Sequence, residues 1–121
     1  MNSSAEILII TNSSGSRWIF PKGLVEPDMT PLQSAEMEAF EEAGIRGETH
    51  PEPVGKYQYR KWGGTCIVEL YVMKVTEILE EWPEMEKRER QWVSPEKMLS
   101  VMDERIPRDL LNKVPPRLRK L

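Results

Sequence analysis

The 121-residue sequence has one cysteine, one histidine and no apolar run long enough to span a bilayer. Cys66 cannot form an internal disulfide, and its place in the apolar run "TCIVELYV" reads as a buried thiol in a reducing compartment rather than a nucleophile. His50, in "GETHPEP", has no second histidine or carboxylate at ligand spacing beside it and reads as a surface loop residue. The segment "AEILII" is short, broken by Glu6, and lacks the basic flank and cleavage signal of a secretory leader. A cytoplasmic protein without a membrane partner is expected. Excess charge is also missing: the net charge is −3 with both signs spread along the chain, which gives no footprint for nucleic acid. Repeats and low-complexity blocks are absent, so the length points to one domain over residues 1–121 with a single core.

What is present is an interleaving of strand-like and helix-like segments. Ile7 to Thr11 and Arg17 to Phe20 read as strands around the turn "NSSGS", the second closed by Pro21. "GKYQYRKW" and "TCIVELYVMKV" read as a hairpin through Gly63 and Gly64, the latter strand apolar on both faces and therefore central. The stretch "TEILEEWPEMEKRER" reads as a charged loop before a strand at Gln91 to Val93. Ser94 and Pro95 open a helix reaching about Met102, a last helix lies around Leu110 to Val114, and residues 115–121 form a frayed basic tail. The pattern is α/β, a mixed sheet packed by helices.

Between these lies "PKGLVEPDMTPLQSAEMEAFEEAGIRG". Thr30 and Gln33 fit a capping box, Pro31 the first helical position and Gly44 the residue past the end, so a helix is expected over Pro31 to Ala43. At 100° per residue Leu32, Ala35, Ala39 and Ala43 make an apolar stripe, with Glu38, Glu41 and Glu42 together on the adjacent one. Like charges at such spacing cost roughly 0.2–0.5 kcal/mol per pair. A hard divalent cation offsets that cost, and so does simple solvation of an acidic face. The loop ahead, with Lys22 beside Gly23, suits close approach of a phosphate to backbone, and Arg17 is a second candidate to grip it.

At these residues the sequence resembles the Nudix hydrolases, whose signature Gx5Ex7REUxEExGU is matched by Gly23, Glu38, Ala39, Glu41, Glu42, Gly44 and Ile45. "RWIFPKG" looks like the strand and turn before that box. "VTEILEEWPEMEKRERQWVSPEKML" looks like the second half of the branch that includes diphosphoinositol polyphosphate and diadenosine polyphosphate hydrolases. The resemblance implies an α/β/α sandwich with a mixed sheet, lacking here the usual first strand. It also implies hydrolysis of a diphosphate linkage in a nucleoside polyphosphate or diphosphoinositol-type small molecule with Mg²⁺ or Mn²⁺. By position, Glu38, Glu41 and Glu42 are the implied metal ligands. Glu41, Glu42 or a loop residue such as Glu84 is the implied proton acceptor, with Glu86 its neighbour in that loop. Arg17, Lys22 and Gly23 are the expected substrate contacts.

Two positions depart from the signature: Met29 stands in place of its first glutamate and Met37 in place of its arginine. Loss of both polar groups implies reduced activity, and the alternative reading is a Nudix-fold domain that binds a nucleotide or diphosphate as a sensor. The short segment "MNSSAE" in place of a first strand implies a bare sheet edge, and with it a homodimer. Elsewhere Trp18 and Trp92 are expected in the core, and Tyr57, Tyr59 and Lys61 on one half-exposed sheet face. Glu69, in an apolar strand, needs a partner.

Overall fold

The strand β1 (Ile7–Thr11) is buried along its whole length and separates two clusters of packed side chains. Ile7 and Ile9 face a cluster with Val54, Val68, Val93, Met98 and Leu110. Leu8 and Ile10, pointing the other way, join Ile19, Ala39, Ala43 and Ile45. Alternation along a strand thus explains why "ILII" is apolar on both faces. A computed structural model describes residues 5–22, 25, 27–61 and 63–120, with the side chains of Tyr59 and Lys61 outside that description.

β1 pairs antiparallel with β2 (Trp18–Ile19) on one side and on the other with the strand at Arg90–Val93, which is β7 in chain order. α1 (Pro31–Ala43) begins at a complete capping box between Thr30 and Gln33 and ends at Gly44, whose φ of 67° is left-handed. β3 (Ile45–Thr49) follows at once and pairs with β6 (Met73–Ile78) across a bulge at Arg46 and Gly47. A Cβ on Gly47 would sit 2.1 Å from the Lys74 carbonyl oxygen, so the bulge admits only glycine. β4 (Gly55–Lys61) and β5 (Gly64–Leu70) form the expected hairpin. After β7 come α2 (Pro95–Val101), capped by Ser94, then α3 (Arg108–Asn112) and α4 (Val114–Leu118).

The α/β/α arrangement is present, with its strands divided among three antiparallel sheets. Among the described residues the parallel component is the bridge between Trp18 and Met102.

Several expectations need correction. The run "TCIVELYVMKV" is not one central strand: it breaks at Tyr71 and Val72 into β5 and β6, and β5 pairs only with β4 among the described residues. Ile67 is accordingly 58% exposed and Cys66 only half-buried. The strand over Arg17 to Phe20 contracts to two residues, and β3 was not anticipated at all. β6 also takes up Thr76 to Ile78 from the charged stretch read as loop.

The basic tail is not frayed along its length. Val114–Leu118 is helical, Leu118 packs on the core, and the Arg117 guanidinium donates to the Glu52 carbonyl at 3.0 Å. Two prolines at the start of so short a helix are tolerated because first-turn N–H groups have no helical acceptor. Trp92 is exposed rather than core, whereas Trp18 packs against the core as expected. Glu69 has its partner in the Tyr71 hydroxyl, 3.3 Å away. The expected edge before β1 falls on "MNSSAE", of which residues 1–4 lie outside the described set. No described helix is long and apolar enough to cross a membrane.

Candidate active site

α1 carries its carboxylates on two sides. Glu36 accepts a hydrogen bond from the Thr49 hydroxyl at 2.8 Å and so ties the helix to β3, away from the others. Glu38, Glu41 and Glu42 face the loop between β6 and β7, which brings Glu84 to them through its main-chain N–H, bonded to the Glu41 carbonyl at 3.0 Å. The expected acidic face is therefore real, but it is not simply solvated. Glu42 is 5% exposed: it lies beside the Ala35–Ala39 stripe, and the Lys22 main chain and the Arg88 guanidinium cover its carboxylate.

The arrangement is electrostatically loaded. Burial raises the Glu42 pKa from 4.5 to about 8, Arg88 works against that rise, and the charges of Glu38 and Glu84 add to it. Glu38 is raised as well, first by burial and then by the charges of Glu41 and Glu84, and its carboxyl lies within hydrogen-bonding reach of both Glu41 and Glu42. Two groups stabilise the ionised form of Glu42: the Lys22 main-chain N–H donates to Oε1 at 3.2 Å, and the Arg88 guanidinium acts as a nearby charge, 3.7 Å from the same oxygen. Arg88 also contacts Glu84 Oε1 at 3.0 Å.

The end of α1 is fixed from outside the helix. Its last turn contains no basic residue. Instead the Trp82 indole N–H donates to the Glu42 carbonyl at 3.0 Å, and Arg90 donates to the Ala43 carbonyl at 2.7 Å. These donors satisfy carbonyls that a helix end leaves open and offset its negative pole. The part of α1 that presents Glu42 is thereby held in place.

Of the residues expected at the site, Glu38, Glu41, Glu42 and Glu84 come together with the Lys22 main chain. Gly23 lies outside the described residues, as does Glu26. Arg17 has a different partner: its guanidinium is 3.3 Å from Asp103, a buried carboxylate that Arg105 also grips at 2.7 Å. Met29 receives a long contact from the Ser34 hydroxyl, 3.9 Å to sulfur. Glu86 is exposed. Arg88 was missed, because "EKRER" offers only an alternation of charge and its partners are distant in sequence.

Among the described residues no three His, Cys, Asp or Glu side chains are gathered tightly enough to enclose an ion as they stand. The donor chemistry nevertheless suits one: crowded carboxylates, one of them buried, are the oxygen donors that hard divalent ions prefer.

On the side of α1 that carries Ala35 and Ala39, an open groove runs between β1 and the stretch Ile67–Met73. Lys22 lines it while its N–H holds Glu42, so groove and carboxylates adjoin. Phe20, Tyr57, Tyr71 and Trp92 contribute aromatic surface. Its described charged lining is one cation, Lys22, with Glu6, Glu36 and Glu69.

Comparison with known proteins agrees with this geometry. The sequence model of the NUDIX domain matches residues 1–114. "Nudix hydrolase 12, mitochondrial" of Arabidopsis thaliana is 36% identical over 104 residues, covering 79% of this chain and 51% of that protein. "Diphosphoinositol polyphosphate phosphohydrolase 3-beta" of Bos taurus is 34% identical over 100 residues, covering 80% and 60%. The chain thus spans about half the length of the curated relatives it matches. Among solved structures, a C. elegans Ap4A hydrolase binary complex superposes with a TM-score of 0.72 at 22% identity, over 96% of this chain and 88% of that one. Fold, glutamate helix and family match converge: the chain belongs to the Nudix family.

Proposed function

We propose that the chain hydrolyses the phosphoanhydride linkage of a nucleoside polyphosphate with the help of a divalent ion, Mg²⁺ or Mn²⁺. The observation that carries this reading is the buried Glu42 carboxylate, set between Glu38 and Glu84 and held by the Lys22 N–H. Glu38, Glu41 and Glu42 are the residues to hold the ion, which supplies charge neutralisation at phosphoryl oxygens and a more acidic water. Glu84, from the loop, is assigned as acceptor of the water proton, a reading supported by the Arg88 contact it shares with Glu42, and burial keeps bulk water from competing at Glu42. Lys22 and Gly23 are assigned to the phosphate chain, and Arg17, engaged by Asp103, is left out of that set.

Between the two substrate classes the groove favours the nucleoside. A densely phosphorylated inositol needs several cations around it, whereas aromatic and aliphatic walls with one lysine among the described lining residues suit a base and its ribose.

The test is product release from a panel of nucleoside polyphosphates and diphosphoinositol compounds with each metal, for the native chain and Glu42→Gln. Metal-dependent mononucleotide release that disappears in Glu42→Gln supports the reading. The replacement of signature residues by Met29 and Met37 favours the second reading, a ligand-binding module. Nucleotide binding without turnover in the native chain establishes that second reading instead.

A further inference from the structure

We propose that Arg88 is a positioning residue of the site, the brace that sets Glu84 against Glu42. The inference rests on the hydrolase reading for its kinetic consequence and on geometry for the rest. Arg88 makes contacts in three directions. Its Nη1 donates to the Thr11 carbonyl at 3.0 Å, its Nε donates to Glu84 Oε1 at 3.1 Å, and its Nη2 reaches Glu84 Oε1 at 3.0 Å and Glu42 Oε1 at 3.7 Å. The side chain is 11% exposed, so these contacts form away from bulk solvent.

The contact with Thr11 explains why the guanidinium is fixed rather than merely attracted. Thr11 is buried at the end of β1, and it also holds the main chain next to Arg88, at Glu89. The Thr11 N–H donates to the Glu89 carbonyl at 3.0 Å, and the Glu89 N–H donates to the Thr11 hydroxyl at 2.9 Å. Arg88 therefore takes its position from the core and passes it to a loop carboxylate and a helix carboxylate. A planar fork can meet acceptors in three directions, and a lysine ammonium on a flexible stem has no such geometry. Arg88 touches the reacting groups only through Glu84 and Glu42, so its role is orientation.

The test compares native chain, Arg88→Ala and Arg88→Lys in steady-state hydrolysis of the substrate selected by the panel above, and in amide hydrogen exchange of the metal-free proteins. For Arg88→Ala, kcat is expected to fall about 10²-fold with KM within about twofold, since misplaced groups slow the chemical step without changing substrate grip. Arg88→Lys does not restore the rate, and added guanidinium chloride at low millimolar concentration restores part of it in Arg88→Ala. Exchange at the Glu84 amide, which bonds to the Glu41 carbonyl, accelerates in Arg88→Ala while the Ile9 amide in β1 stays protected.

An unchanged kcat, full activity in Arg88→Lys, or no response to guanidinium overturns the proposal. So does acceleration throughout β1, which marks a general stability role. Absence of turnover in the native chain defeats the hydrolase reading alone, because Glu84 exchange then decides whether Arg88 braces the loop.

Discussion

The Arg90 guanidinium lies 3.9 Å above the Trp82 ring, and this stacked pair closes the end of the glutamate helix. Gly44 sits directly beneath it: a Cβ there would be 2.8 Å from the indole and 2.9 Å from Arg90 Nη1. The residue is required for space as much as for its left-handed φ.

Gly44→Ala is therefore expected to destabilise the fold by about 2–4 kcal/mol, from the left-handed backbone cost and loss of the indole bond. Urea unfolding measures it. A midpoint within error of the native value would show that Trp82 moves aside freely and does not fix α1.

Glu42 gives a pH dependence whose sign is set by its raised pKa. The folded chain binds this proton more tightly than the unfolded chain, so the contribution is complete below 4.5 and is lost as pH rises toward about 8. In chelator, stability should fall across that window with a slope of at most about 1.4 kcal/mol per pH unit. Glu42→Gln removes this component. Thermal melts of both proteins from pH 5 to pH 8 test it, and parallel curves would refute it.

Asp103 behaves in the opposite sense. Arg105 above all, with Arg17, holds its pKa below the ordinary value, so its contribution is present near neutrality and is lost only in acid. Asp103→Ala is expected to cost about 1–3 kcal/mol through loss of its charge-assisted hydrogen bonds to Arg105 and Arg17. Arg17→Ala, at a half-exposed pair, should cost under about 1 kcal/mol and leave turnover at the native level. A rise in KM for Arg17→Ala would return Arg17 to the phosphate-binding set.

Deleting residues 115–121 removes most of α4. Val114 is buried, Leu118 packs on the core, and Arg117 binds carbonyls in the turn before β4. The truncated chain is expected to melt several degrees lower. An unaltered melting temperature would restore the frayed tail.

The boundaries of α1 were legible in the sequence because every signal that sets them is local: Thr30 and Gln33 at one end, Gly44 at the other. The burial of Glu42 was not, since periodicity places a residue on a face without saying what covers it. The break between β5 and β6 was hidden by an unbroken apolar run, in which Tyr71 and Val72 give no turn signal. Arg88 and Arg90 were illegible for a related reason. Each acts on groups that only the tertiary fold brings near, and in sequence they are two charges among many.

The way α1 ends also bears on the order of folding. Its own sequence sets carboxylates against one another and supplies no cation in the last turn, while the stabilising donors arrive from Trp82 and Arg90, much later in the chain. A peptide of residues 30–44 is accordingly expected to show little helix by circular dichroism, and strong helicity there would contradict this. The glutamate segment is a product of the assembled fold and not a nucleus for it. A partly folded chain then has no ordered carboxylate cluster with which to capture ions before the core has closed.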